Sequence, residues 1–214
     1  SATSWMMNKL INNKGGLHNR VTHQIKLSPF TLGECEEFLK AKNFTMDRFE
    51  IAQFYMVFGG IPYYLKLLDK GESLAQNVDR LLFSEDGELR NEFHNLYHAL
   101  FRNSEKYIAI VEVLAQKKKG ITRNTLIKEL SVESSGGVSK ALDDLENCGF
   151  IRRYSPFGKK TKDELIQLVD FYTLFYFRFL AKRAKGRRNQ WLQIQGKPEY
   201  NSWCGYAFEM LCLQ

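Results

Sequence analysis

Gly59-Gly60-Ile61-Pro62-Tyr63-Tyr64-Leu65 interrupts two apolar patterns of helical period, and its reading decides the fold. Upstream, Phe49, Ala52, Tyr55 and Met56 recur at helix spacing, and downstream Leu65, Leu67 and Leu68 do the same. Glycine tolerates the left-handed conformation at a helix end, and proline suits a first helical turn where its missing N–H is not needed. The stretch therefore predicts a corner between two helices.

Working outward, the clearest helix is Thr31 to Lys42. Thr31 with Glu34 has the spacing of a capping box, and Leu32, Cys35, Phe38 and Leu39 make one apolar face. Thr45 is read as the cap of a second helix ending at Phe58, Pro62 opens a third that stops near Gly71, and Ser73 caps a fourth to about Phe83. Residues 31–104 are thus expected to form a helical bundle with a connecting helix over Glu88 to Phe101. His94 and His98 lie one turn apart on that helix, but no third ligand joins them in register, so no metal site is expected.

Residues 105–168 predict a second module. Helical patterns over Tyr107–Leu114, Thr122–Leu130 and Val138–Leu145 precede Phe150-Ile151-Arg152-Arg153-Tyr154, a loop, and Leu165-Ile166-Gln167-Leu168. Three helices and a β-ribbon with a basic tip are the pattern of a winged helix-turn-helix. Such a module offers its third helix to the major groove and its wing to phosphates. Lys140 on the third helix and Arg152, Arg153, Lys159, Lys160 and Lys162 on the wing are the candidate nucleic-acid contacts. Asp143 and Asp144, on the same helix as Lys140, would repel phosphate if they faced it.

Charge points the same way. Lys+Arg and Asp+Glu balance at 13 each through residue 106, but stand at 18 against 11 beyond it, so the net charge of +7 belongs to the second half. Basic charge concentrated on one module favours an anionic partner, double-stranded DNA being the expected one. Residues 169–199 comprise an aromatic stretch, Asp170 to Leu180, read as a buried helix, and a basic linker, Lys182 to Arg188. No run reaches the roughly 20 apolar residues of a membrane span, no leader pattern is present, and the four cysteines show neither zinc spacing nor a disulfide framework. A cytoplasmic chain with no membrane partner and buried free thiols is expected.

Several landmarks follow one another in order: Ser1-Ala2-Thr3-Ser4-Trp5-Met6, Gly15-Gly16-Leu17-His18-Asn19-Arg20-Val21, Leu27-Ser28-Pro29-Phe30-Thr31 and Gly59-Gly60-Ile61-Pro62. Together they resemble the archaeal and bacterial AAA+/STAND-like P-loop ATPases, in which a nucleotide core precedes a helical lid, a winged helix and a restriction-endonuclease-like tail. The resemblance covers nearly the whole chain and implies that residues 1–30 close an incomplete nucleotide core. Val21 to Leu27 alternates apolar and polar residues as a half-buried strand would. The resemblance further implies Thr3 as a candidate sensor residue and Arg20 as a candidate transition-state arginine, a role suited to its permanent charge and forked donors. By the same resemblance Gly60 and Pro62 border the nucleotide, residues 200–214 begin a nuclease-like domain, and Glu209 is its helix-borne acid.

The fold class expected is therefore mainly α: a helical lid bundle, a winged helix-turn-helix with a small β-ribbon, and an incomplete C-terminal segment. No Gly-x-x-x-x-Gly-Lys-Ser/Thr occurs, and no strand ends in paired acids to hold magnesium. ATP and Mg2+ are accordingly expected as cofactors of a longer parent and not of this chain alone, whose missing nucleotide core would be its first partner. Two other readings stand beside the ATPase fragment: a winged-helix DNA-binding regulator, and a scaffold whose winged helix packs only within the molecule.

Overall fold

The computed structural model describes residues 22, 23, 25, 27–131, 135–156, 164–182 and 190–213. Among them the chain is mainly α with one small antiparallel sheet. It divides into two compact units: Ser28–Phe93 together with Phe171–Gln214, and a unit that includes His94–Asp170. No described helix is long and apolar enough to cross a membrane.

The bundle unit opens with α1 (Leu32–Ala41), α2 (Arg48–Phe58), α3 (Pro62–Lys66) and α4 (Leu74–Val78), the last continuing as a π-helical turn over Asp79–Phe83. Local chemistry starts three of these. The Thr31–Glu34 capping box is formed, with the Thr31 N–H donating to Glu34 Oε2 at 2.7 Å. Ser73 and Gln76 form another. The cap of α2 is Asp47 with Glu50, not Thr45, because Asp47 has the acid three residues on that completes the reciprocal pair. Within α2, Ile51 and every residue from Phe54 to Phe58 are buried, so it is the central helix of the unit.

The chain returns to this unit as α9 (Phe171–Phe175), a π-helical turn over Tyr176–Leu180, α10 (Gln190–Ile194) and α11 (Pro198–Cys212). All five residues of α9 are buried, and Phe171 meets Tyr55 of α2 edge-on at 5.5 Å. Trp191 of α10 is packed by Phe83, Phe175, Phe179 and Trp203 at 5.0 to 6.3 Å between ring centroids. The segment expected to begin a separate nuclease-like domain thus supplies core residues to the helical bundle: Trp203, Ala207 and Met210 are buried.

The other unit carries most of α5 (Glu92–Leu100), then α6 (Ser104–Ala115), β1 (Ile121–Thr122), α7 (Arg123–Glu129), α8 (Ser135–Asn147), β2 (Ile151–Tyr154) and β3 (Leu165–Leu168). The sheet order is β1-β3-β2, all antiparallel, with Ile151 opposite Leu168, Arg153 opposite Ile166 and Ile121 opposite Ile166 on the other edge. Three helices with a sheet in this order form a winged helix-turn-helix. The ribbon gains a third strand, β1, which two residues are too few to announce by alternation. Ile110, Val111, Leu114, Leu126, Leu142 and Leu145 fill the core beneath the sheet.

Near the N-terminus, Ile25 and Leu27 are 84% and 90% exposed and neither lies in a strand, so those described members of the Val21–Leu27 stretch differ from a half-buried strand. Of the cysteines, Cys35 is buried, Cys148 and Cys204 are half-buried and Cys212 is exposed. The expectation of buried thiols therefore fails at Cys212, one residue from the end of the described chain.

Asp79 fixes the returning segment. Its carboxylate accepts the backbone N–H of Trp191 at 2.7 Å and of Leu192 at 3.2 Å, capping α10 from a distant helix. Burial raises its pKa against the opposing pull of these N–H groups. A raised folded-state pKa means that the ionised form is disfavoured on folding, so this group's contribution to stability is full below its unfolded pKa and declines as pH rises through the folded one. Asp79→Ala is expected to lose about 1–2 kcal/mol, the usual worth of a helix cap, with Asp79→Asn losing less because an acceptor remains. Urea denaturation followed by tryptophan fluorescence reads both, and an unchanged midpoint in Asp79→Ala would contradict the capping role.

Candidate functional site

Among the described residues, those singled out in the sequence fall in both units. In the bundle, the corner between α2 and α3 is closed by the preceding strap. The Phe30 N–H donates to the Gly60 carbonyl at 2.7 Å, and the Tyr55 hydroxyl donates to the Phe30 carbonyl at 2.8 Å. A Cβ built on Gly60 would overlap the Phe30 carbonyl oxygen and crowd its C and N atoms. Gly60 is therefore needed for close backbone approach, and the group its missing side chain admits is the Phe30 main chain. Pro62 begins α3 at an exposed position, following an Ile61 cap that has no side-chain hydrogen bond.

Burial pushes the Cys35 thiol up to about 12, with a smaller contribution from Glu34, and pushes the Tyr55 phenol up to about 12 as well. Both shifts favour the neutral form of the group. Thr3 and Arg20 lie outside the described residues. Glu209 is exposed on α11, and among the described residues no group of three or more His, Cys, Asp or Glu could hold a metal ion.

In the winged helix, Lys140 is exposed on α8, as the helical period requires. Lys159, Lys160 and Lys162 lie outside the described residues. Arg152 and Arg153, expected to point at phosphate, are engaged within the unit instead. The Arg153 Nη2 donates to Asp143 Oδ1 at 2.6 Å, its Nε lies 3.5 Å from Glu146 Oε2, and its backbone N–H donates to Glu146 Oε1 at 3.2 Å. Alternation puts Arg152 on the opposite face of the sheet, where its Nε and Nη2 donate to Gln167 Oε1 at 2.9 and 2.7 Å and its guanidinium lies 5.5 Å from the Tyr154 ring centre.

The two aspartates of α8 are accounted for differently. Asp143 is met by Arg153, while Asp144 is buried and accepts the Tyr107 hydroxyl at 2.8 Å. Beside this pairing lies a cleft of about 290 Å³ whose polar lining includes Arg123, Ser139, Asp143, Arg153 and Glu164. The Arg123 guanidinium donates to Ser139 Oγ at 2.9 and 3.2 Å. Arg123 was not singled out in the sequence because its position at the first turn of α7 reads locally as an ordinary surface place. Its approach to α8 is a product of the tertiary fold.

Among known proteins, the chain is 26% identical over 216 residues to an uncharacterised protein of Methanocaldococcus jannaschii. The alignment covers 98% of this chain and 46% of that protein, so the chain spans about half the length of the curated relative it matches. No family model matches, and no solved structure matches.

The Gly60 contact is directly testable. Gly60→Ala must push the Phe30 backbone away, breaking both hydrogen bonds that hold it, and is expected to destabilise the chain by about 1–3 kcal/mol, the range for overpacking in a filled site. Hydrogen exchange at the Phe30 amide is expected to accelerate in the same variant. Native exchange there would show that the strap does not depend on Gly60.

Proposed function

We propose that this chain is the lid and winged-helix portion of an ATP-driven nucleotide switch, and that its winged helix contacts double-stranded DNA. One observation supports the first part above others: Leu27–Phe30 and Gly59–Pro62, two well-separated landmarks of the resemblance, are fastened together by the Phe30–Gly60 hydrogen bond and by Tyr55. By the resemblance the first of these lies at the end of the nucleotide core and the second is a turn of the lid that approaches the nucleotide. A displacement of the core would reach α2 and α3 through this junction, because Gly60 leaves no slack between the two backbones.

The chemistry of hydrolysis lies with the phosphate-binding loop and magnesium ligands of the nucleotide core, and Mg-ATP when bound supplies the free energy. The chain's own residues hold geometry. Phe30, Tyr55 and Gly60 couple the strap to the corner, and Asp79 ties α10 to the helix that carries it. A lid able to take two positions biased by nucleotide would change the affinity of any partner that distinguishes them.

The test uses the longer protein that carries this chain. DNA affinity is measured with ATP, with ADP and without nucleotide, alongside hydrolysis. The expectation is hydrolysis of ATP and a nucleotide-dependent shift in DNA affinity of roughly 5–150-fold, the usual span of allosteric coupling, reduced in Tyr55→Phe. Absence of ATP binding overturns the ATPase reading and leaves a winged-helix DNA binder; absence of DNA binding in every nucleotide state leaves an internal scaffold.

A further inference from the structure

A cleft of about 470 Å³ opens in the bundle unit between the end of α1 and the connection from α3 to α4. One wall is a Schellman turn. The Asn43 N–H donates to the Lys40 carbonyl at 2.9 Å and the Phe44 N–H to the Leu39 carbonyl at 3.0 Å, with Asn43 at φ +62°, a left-handed conformation that asparagine tolerates. The turn sets Lys42 and the half-buried Phe44 in the cleft lining. The other wall is built round the fully buried Asn77, whose Oδ1 accepts the Asp69 N–H at 2.7 Å and whose Nδ2 donates to the Asp69 and Glu72 carbonyls at 2.9 and 3.2 Å. Arg80 Nη2 donates to the Leu67 carbonyl at 3.0 Å and completes that wall.

Two kinds of surface meet between these walls. Phe44, Leu65, Leu67 and Leu68 supply an apolar floor, and Lys42, Lys66 and Lys70 supply exposed ammonium groups that have no side-chain partner among the described residues. Arg80 differs, since Glu72 Oε2 takes its Nε at 2.8 Å and Glu88 lies 3.8 Å away. Asp69, the acid in the lining, accepts the Gly71 N–H at 2.8 Å. Lys42 and Lys66 each stand at the end of a helix, where a cation suits the dipole, but Lys70 lies in the connection and Lys40 already serves the last turn of α1. Composition does not explain the cluster either, because acids and bases balance through residue 106. The neighbouring acids are engaged elsewhere: Glu36 with Lys40 and Arg48, and Glu34 and Glu50 in capping boxes. Like charges gathered on one concave surface repel one another and concentrate a field that an anion relieves.

We propose that this cleft binds a small organic phosphate, its phosphate held by Lys42, Lys66 and Lys70 and its aromatic body laid on the floor of Phe44 and the leucines. Neither Gly60 nor Pro62 lines it, so the site is separate from the nucleotide contact that the resemblance implies and depends on neither part of the function proposed above. The volume falls among small-ligand sites, which span about 300–1,000 Å³. An extended peptide would need free main-chain groups, whereas the Lys42 and Asp69 N–H groups and the Leu67 carbonyl are already taken. Lysine suits phosphate as a mobile point charge, and an apolar floor rewards a ligand that carries more than the bare ion.

Isothermal titration calorimetry of the 214-residue chain at low salt tests the site with phenyl phosphate, inorganic phosphate and AMP as probes. Phenyl phosphate is expected to bind several-fold more tightly than inorganic phosphate, through contact of its ring with the floor. Lys42→Gln, Lys66→Gln and Lys70→Gln combined are expected to weaken it about tenfold, and the three corresponding arginine replacements to keep the parental affinity. A control triple, Lys119→Gln, Lys128→Gln and Lys197→Gln, removes the same net charge from exposed positions elsewhere and is expected to leave binding unchanged. Thermal melts of each variant separate loss of folding from loss of binding.

AMP binding more tightly than phenyl phosphate, and weakened in the cleft triple, assigns the ligand to the nucleotides; AMP binding no more tightly assigns it to other aromatic phosphates. Equal weakening in the two glutamine triples reduces the effect to net charge and overturns the site. Equal affinity for phenyl and inorganic phosphate overturns the organic class, and absence of binding by all three probes overturns the proposal outright.

Discussion

The carboxylate of Asp79 is the constraint on which the bundle depends. A buried acid disfavours its own charge, and here the opposing pull comes from backbone N–H groups at the start of α10. The helix so capped presents Trp191 to Phe83, Phe175, Phe179 and Trp203, and that aromatic cluster joins the Asp79–Phe83 turn to the segments that follow residue 170. The π-helical turns at Asp79–Phe83 and Tyr176–Leu180 contribute Phe83 and Phe179 to this cluster. A one-residue widening of the helix re-aims the side chains around it. The cluster and its cap explain why residues 171–213 belong with 28–93, making the winged helix an insertion between two halves of one unit.

Backbone meeting backbone is the second recurring device. At Gly60 and at Gly120 the missing Cβ is replaced by a carbonyl from elsewhere, Phe30 in one case and Ile166 in the other. Each contact is reinforced by a tyrosine hydroxyl that reaches a main-chain oxygen: Tyr55 to Phe30, and Tyr154 to Lys119. Both junctions fasten a connecting segment to an element of its own unit. Neither tyrosine can be replaced by phenylalanine without leaving an acceptor to find water, so the hydroxyl and not the ring sets the geometry.

These features mark where the sequence could be read and where it could not. Capping boxes are written within four residues, so Thr31 with Glu34 and the Ser73 cap were legible. Asp47 was passed over for Thr45 because both residue types cap helices, and only Glu50 in the right register separates them. The winged helix was legible because its helices keep their period and its longer strands keep their alternation. Strand β1 was not, since two residues show no period. For Gly60 the sequence announced a close approach, and the contact with the Phe30 main chain came only with the tertiary fold. The resemblance assigns residues 200–214 to the start of a nuclease-like domain, and nothing local to them reveals that Trp203 meets Trp191.

Charge was the least legible property, and the reason is physical. Net charge is additive along a chain, whereas a charge available to a ligand depends on what already faces it. Arg153 counts as one positive charge in the total, yet its guanidinium already holds Asp143 and lies beside Glu146, so a phosphate recruiting it would have to displace one carboxylate and approach another. Exchanging one anion for another at a half-buried arginine yields little net attraction, and the displaced acids would then repel the incoming backbone. In the turn before β1, by contrast, position is fixed through main-chain oxygens: the Lys118 carbonyl accepts from Gln167 and the Lys119 carbonyl from Tyr154.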